Sequence, residues 1–476
     1  MKKNDWIVVA VTGIYSFLFY NEGLGFNLSL FTLIVVIGMV INNTDLLKQK
    51  NWVIIALSCC FSAITIGYNG SLLAIFSSMS SILILVGISM SKKTSIIFSF
   101  IYGIYSSISS PYFLGKKVSE NRKSAIDQSK LKRRLLMILL PLIITLIFFF
   151  LYRNSNPIFE SFSDQIDWDW ISIDWILFTL IGLIAIFGIY NARKIEFLAS
   201  KDEIESLDIV NKEENEFKIF GMTILVVDEY FSGKILFILL NVLLGIVNLL
   251  DFNFIFVDRS LPNDLTYSEF LHQSVGTLVI STIVAICIVL YYFRGQINFY
   301  QKSKTLKWFA YLWMIQNIFM LISVCLKNNM YINQYGLTYK RIGIYFFVIL
   351  TVFGLITLLL KVYKVKINMY LIRINGWSFY SVLIFSAIIN WDVLIVDFNQ
   401  KCKKGCDMNY ALSLSDSTIP SLVKLESIST IKNKNNFKKK LSIKIDHFNN
   451  KQKNKSWKSW NYQEAKVRIF LKNQKK

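Results

Sequence analysis

Residues 333–363 read NQYGLTYKRIGIYFFVILTVFGLITLLLKVY. A polar and aromatic opening ends at Arg341, and from there to Lys361 no residue carries a charge. An α-helix needs roughly 17–25 apolar residues to cross about 30 Å of hydrocarbon, and the run from Gly343 to Tyr363 meets that length. Lipid offers backbone amides no partners, so such a run must be helical. The opening has its own physical reading. Gly336 permits a turn, Thr338 can cap the helix, and Tyr335, Tyr339 and Tyr345 are rings suited to the membrane interface. Arg341 can extend its guanidinium towards water along an apolar stem.

The pattern recurs along the first 397 residues. Candidate spans lie at 6–20, 27–41, 52–68, 71–90, 94–113, 135–152, 171–190, 235–256, 274–293, 308–326, 343–363 and 376–397. Only 17% of the chain is charged, against about 25% in a soluble domain, and no ten-residue alternation indicates a barrel. The expected fold is therefore all-α: a polytopic transmembrane helical bundle of about 11–12 spans with a basic C-terminal tail. The start, MKKNDWIVVAVTGIYSFLFY, has no small-x-small cleavage site and reads as an uncleaved first helix. If Lys2, Lys3 and the basic segment 116–134 share one side, 71–90 and 94–113 do not both cross.

Charge divides the chain into four blocks: a first helix group over 1–115, a linker over 116–134 with eight Lys/Arg, a second helical domain over 135–397, and a tail over 398–476. Cations in short loops mark the cytoplasmic side. That places 116–134, 191–234, 294–307 and 361–375 in the cytoplasm, with 153–170, 257–273 and 327–342 outside. Alternation then carries the tail outside. There Cys402 and Cys406, spaced i, i+4 in CKKGC, are either a disulfide or a pair of free thiols. Within the tail, 407–430 reads as an amphipathic helical stretch interrupted by Pro420, and 431–455 as a mobile Lys/Asn-rich segment. The final SWKSWNYQEAKVRIFLK has the aromatic content to dock on membrane or protein. The tail holds nineteen Lys/Arg against five Asp/Glu. The expected partners are thus the lipid bilayer, anionic lipid headgroups at about 1 kcal/mol per cation, and a protein partner of unknown identity. A tail tethered to a bilayer does not point to nucleic acid.

Few residues suggest covalent chemistry. His occurs only at His272 and His447, too few for a zinc site or a Ser-His-Asp arrangement. No P-loop, dinucleotide fingerprint or kinase motif is present. No catalytic, cofactor-binding or metal-ligating residue is assigned, and no cofactor is expected. Asp251, Asp258, Asp264 and Glu269 are the acids an interfacial transferase would use, at a spacing that matches no motif. Asn241 and Asn248, seven apart, share one helix face with Gly245 and read as a helix-packing seam.

Six stretches stand in a fixed order: FYNEGLGFNLSLF (19–31), LTYSEFLHQSVGTLV (265–279), YGLTYKRIGIY (335–345), NWDVLIVDFN (390–399), DMNYALSLSDSTIPSL (407–422) and SWKSWN (456–461). In this order the chain resembles bacterial multi-pass membrane proteins of domain-of-unknown-function family 4173, close to family 4153. The resemblance implies a membrane fold and no particular activity. Where that family reads Asn-Pro-Asp, this chain has Asn390-Trp391-Asp392, and its Lys-rich 431–455 is peculiar to it. In LTYSEFLHQ, Thr266 and Glu269 have capping-box spacing, with Tyr267 at interface depth. Lys340 or Arg341 facing Asp264 or Glu269 is the pairing this reading expects. The expected function is that of a non-enzymatic accessory or sensory protein in a bacterial cytoplasmic membrane. A permease of unknown solute and an envelope transferase are the alternatives.

Overall fold

The computed structural model describes residues 3–91, 93–121, 137, 141, 144–145, 147–149, 151–164, 172–202, 206–210, 216–219, 222–257, 267–401, 407–426, 434–453 and 455–474. Among the described residues the regular structure is helical apart from one short antiparallel hairpin, β1 (Glu216–Ile219) with β2 (Met222–Leu225). The helices are α1 (Lys3–Phe19), α2 (Phe26–Asn42), α3 (Lys50–Asn69), α4 (Leu72–Ile88), α5 (Ile96–Asn121), α6 (Pro157–Asp164), α7 (Ile173–Tyr190), α8 (Glu196–Asp202) and α9 (Val226–Phe256). They continue with α10 (Tyr267–Tyr292), α11 (Ser303–Tyr335), α12 (Tyr339–Tyr363), α13 (Asn368–Ile388), α14 (Trp391–Asn399), α15 (Met408–Ser413), α16 (Ile419–Glu426), α17 (Lys434–Lys453) and α18 (Tyr462–Gln474). Among the described residues, α3, α7, α9, α11, α12 and α13 are long and apolar enough to cross a membrane. Helices α2 and α4 and the segment Val279–Tyr292 are apolar but shorter.

Two compact units are present: residues 1–63, 78–92 and 98–198, and residues 64–77, 93–97 and 199–476. In the first, α1 packs along α2 and α7. Tyr15 stacks on Phe178 with ring centroids 4.8 Å apart, and the Ser16 and Thr179 hydroxyls meet at 2.8 Å. The turn in FYNEGLGFNLSLF is tied by Asn27, which is fully buried. Its Nδ2 donates to the Leu18 and Gly23 carbonyls, and its Oδ1 accepts from the Gly25 and Leu28 amides. One amide side chain thus satisfies both ends of a helical hairpin.

In the second unit, α9 and α11 form the central pair, joined by α10, α12 and α13 around Phe237, Val289, Phe293, Leu306 and Met320. The seam expected of Asn241 and Asn248 is present. Asn241 Nδ2 donates to Phe309 O at 2.9 Å, and Asn248 Nδ2 donates to Gln316 O at 3.1 Å. The partners are also seven residues apart, so the two helices run alongside in register. At the far end of α12, Asp208 bridges Lys366 through backbone and side chain, and Ser95 N donates to Asp202. The segments around 202–208 and 361–373 therefore share one end of the unit.

Three expectations change. The span expected over 376–397 is two helices, because α13 stops at Ile388 and Asn390 caps α14 by accepting from Val393 N at 3.2 Å. The loop expected over 327–342 shrinks to Gly336–Thr338, since α11 runs on to Tyr335. The segment read as mobile is α17 from Lys434 to Lys453, whose Phe437, Leu441 and Phe448 are buried. Their spacing at 437, 441 and 448 places three large apolar groups on one face of an otherwise polar helix. Average polarity hid that stripe.

Candidate functional site

Helices α14 to α18 fold together as a C-terminal cap. Ile395 and Val396 of α14 pack with Ala411, Leu422, Leu425, Phe437 and Leu441, and this cluster also takes in Ile332, Leu337 and Ile342 from the α11–α12 junction. A second cluster joins Ile419, Phe448, Val467 and Leu471. The cap is thus continuous with the helix ends beneath it.

Two glycines and three asparagines make the junction. Gly336 ends α11 at φ +79°, a left-handed conformation costly for other residues. A Cβ there would meet Asn399 Oδ1 at 2.6 Å. Asn399 itself accepts from Leu337 N and donates to Leu337 O, stitching α14 to the turn. Gly70, between α3 and α4, has φ +59°, and a Cβ there would meet Asn461 Nδ2 at 2.8 Å. Beside it, Asn69 Nδ2 donates to the Ala387 and Ile388 carbonyls, satisfying the end of α13.

These contacts surround a cleft of about 920 Å³ lined by the α3–α4 turn and the first turn of α4, the start of α12, the α13–α14 break and the cap. Its volume lies in the range of small-molecule sites, roughly 300–1,000 Å³. A hydrogen-bond web crosses it. Tyr339 Oη donates to Asp392 Oδ1 at 2.7 Å, and Ser415 N donates to Asp392 Oδ2 at 3.3 Å. Asn390 Nδ2 donates to Ser417 Oγ at 3.2 Å, and the Ser415 and Ser417 hydroxyls meet at 2.8 Å. On the cap side, Lys451 lies 3.5 Å from both Asp416 and Glu464. Glu464 also accepts from Gln452 and Lys455. Burial pushes the Glu464 carboxyl up, but these donors outweigh it and hold its pKa below the usual value. Burial lowers the pKa of Lys444, with Asp416 and Asp392 opposing. Its ammonium donates to the Leu412 and Leu414 carbonyls.

The structure brings some candidate residues together and leaves others apart. Asn390 and Asp392 line the cleft, and Gly336 and Tyr335 lie at its supporting turn. Thr338 occupies the N-cap position of α12, but its side chain makes no capping hydrogen bond, which corrects the expected cap. Lys340 is exposed. Arg341 donates to the Tyr335 and Gly336 carbonyls and covers the Tyr331 ring at 4.0 Å. It therefore closes the α11 C-terminus, where terminal carbonyls carry negative potential. Asp264, Thr266, Cys402 and Cys406 lie outside the described residues. Tyr267 and Glu269 open α10. Asp251 pairs with Lys327 at 2.6 Å in the α9–α11 seam.

Ser415, Ser417, Asp416, Asn69 and Glu464 were not singled out from the sequence. Local signals exist for two of them, Asn69 and Glu464. Asn69-Gly70 is a turn dipeptide. Asn461 and Glu464 have the three-residue spacing of a helix cap, and Asn461 Oδ1 accepts from Glu464 N at 2.9 Å. No group of three or more His, Cys, Asp or Glu able to hold a metal occurs among the described residues.

The family model described as "Domain of unknown function (DUF4153)" matches residues 6–425. The family numbered 4173 in the resemblance above is thus corrected to its neighbour. No curated protein and no solved structure matches the chain. The matched range takes in five of the six stretches, FYNEGLGFNLSLF, LTYSEFLHQSVGTLV, YGLTYKRIGIY, NWDVLIVDFN and DMNYALSLSDSTIPSL, while SWKSWN lies beyond it.

Proposed function

Starting from the chain's membership of the DUF4153 family, we propose that it is a non-enzymatic receptor component of a bacterial cytoplasmic membrane, acting through the cleft under its cap. The observation that carries this reading is the hydrogen-bond web at Tyr339, Asp392 and Ser415. It joins a membrane-helix end to the cap across an open cavity, so a ligand entering there bears on both. The carboxylates of the cleft are engaged by neutral donors or by lysines, an arrangement suited to recognition. The cap's excess of cations supports contact with anionic lipid surfaces.

The test is amide hydrogen exchange of the full-length protein in lipid nanodiscs, with and without extracts of the bacterial envelope. A ligand slows exchange at 386–392 and 413–418. Continuous release of a product from the extract, or no protection from any fraction, contradicts the reading. A permease is the second reading, favoured by the Lys327–Asp251 ion pair. It lies between two membrane-length helices, with Lys327 only 3% exposed. Charges at such positions often mark transport paths.

A further inference from the structure

Resting on the receptor reading, the cleft's chemistry narrows the class of ligand. Its lining carries Asp392, Asp416 and Glu464 against the single ammonium of Lys451. With Lys455 pairing Glu464 from outside the lining, the three carboxylates still outnumber the two lysines that pair with them. That balance disfavours an anionic headgroup and leaves carboxylate oxygens able to accept from hydroxyls. Asn69 adds a specific acceptor. It is 6% exposed, its Nδ2 is engaged by the Ala387 and Ile388 carbonyls, and its Oδ1 has no hydrogen-bond partner though the residue lines the cavity. A buried acceptor left without a donor is unfavourable until a ligand supplies one. Ser415 and Ser417, whose hydroxyls can each donate or accept, complete a polar wall suited to several adjacent hydroxyl groups.

Part of the lining is apolar. Leu72 is 85% exposed and Phe76 54%, and both line the cavity together with Ile342 and Phe346. Leu72 opens α4, and Ile342 lies in the first turn of α12. The cavity therefore lies at the ends of apolar helices, where headgroups meet hydrocarbon. A free polyol would satisfy the polar wall alone, whereas an amphiphile satisfies both.

We propose that the cleft binds a membrane lipid with an uncharged, hydroxyl-rich headgroup of the glycosyl type. Its hydroxyls meet Asn69 Oδ1 and the Asp392 side of the web, and the base of its acyl chains lies along Leu72 and Phe76. The test is native mass spectrometry of the full-length protein in detergent. Monoglucosyl diacylglycerol, phosphatidylglycerol and free glucose are offered in turn. The glucosyl lipid is expected to be retained at least about tenfold more tightly than either other probe, the effect of one well-made hydrogen bond. Asn69→Leu and Leu72→Glu should each weaken retention about tenfold. Leu72 is exposed, so its variant reports on binding even if Asn69→Leu disturbs the end of α13. Equal retention of phosphatidylglycerol, equal retention of free glucose, or indifference to both substitutions overturns the proposal. If no glucosyl lipid is retained while an envelope fraction still protects 386–392 and 413–418, this ligand class is wrong and the receptor reading stands. If neither occurs, both fail.

Discussion

At the scale of residues, the junction depends on side chains that satisfy helix ends. Gly336 shows this most sharply. Gly336→Ala places a methyl group at positive φ and against Asn399 Oδ1. Thermal unfolding in detergent should show destabilisation of about 1–3 kcal/mol, whereas Gly276→Ala, with open space around it, should cost far less. Glu464 gives a pH signature. Its folded pKa lies below the unfolded value, so its contribution to cap stability is fully present above the unfolded pKa of about 4.3. That contribution is lost as pH falls through the folded value. Glu464→Gln should flatten the acid limb of cap stability, read by tryptophan fluorescence, and an unchanged limb would remove Glu464 from the account.

At the scale of elements, the paired α9 and α11 are held by polar groups in an apolar surround. Removing Lys327 alone leaves Asp251 buried without its partner, so Lys327→Met should cost about 3–5 kcal/mol in detergent unfolding. Lys327→Met combined with Asp251→Leu should recover most of that loss; equal losses in single and double variants would mean the pair is not coupled. The seam itself was legible in the sequence, because Asn241 and Asn248 repeat at the heptad spacing and only one face of a helix satisfies that. Helix α17 was not. Its Phe437, Leu441 and Phe448 are three apolar groups among lysines and asparagines, and a stripe that sparse gains meaning only once Ile419, Val467 and Leu471 are present to cover it. The break at Ile388 was hidden for a similar reason. Trp391 to Phe398 continues the apolar character of α13, and only the partners of Asn390 and Asn69 show where one helix ends.

At the scale of the whole molecule, the membrane helices and the C-terminal cap meet in one cleft, and that juxtaposition is what the sequence pattern could not express. Its walls come from positions near 70, 340, 390, 415 and 464, so no local motif contains it. The stretches YGLTYKRIGIY, NWDVLIVDFN and DMNYALSLSDSTIPSL, ordered along the chain, converge there in space. The central claim is that residues 408–426, 434–453 and 455–474 form a folded cap rather than a mobile basic tail. Amide hydrogen exchange of the full-length protein in lipid nanodiscs measures this directly. The account predicts that 434–453 and 462–474 exchange slowly and in step with 408–426; exchange of 434–453 at the rate of an unstructured peptide would contradict it.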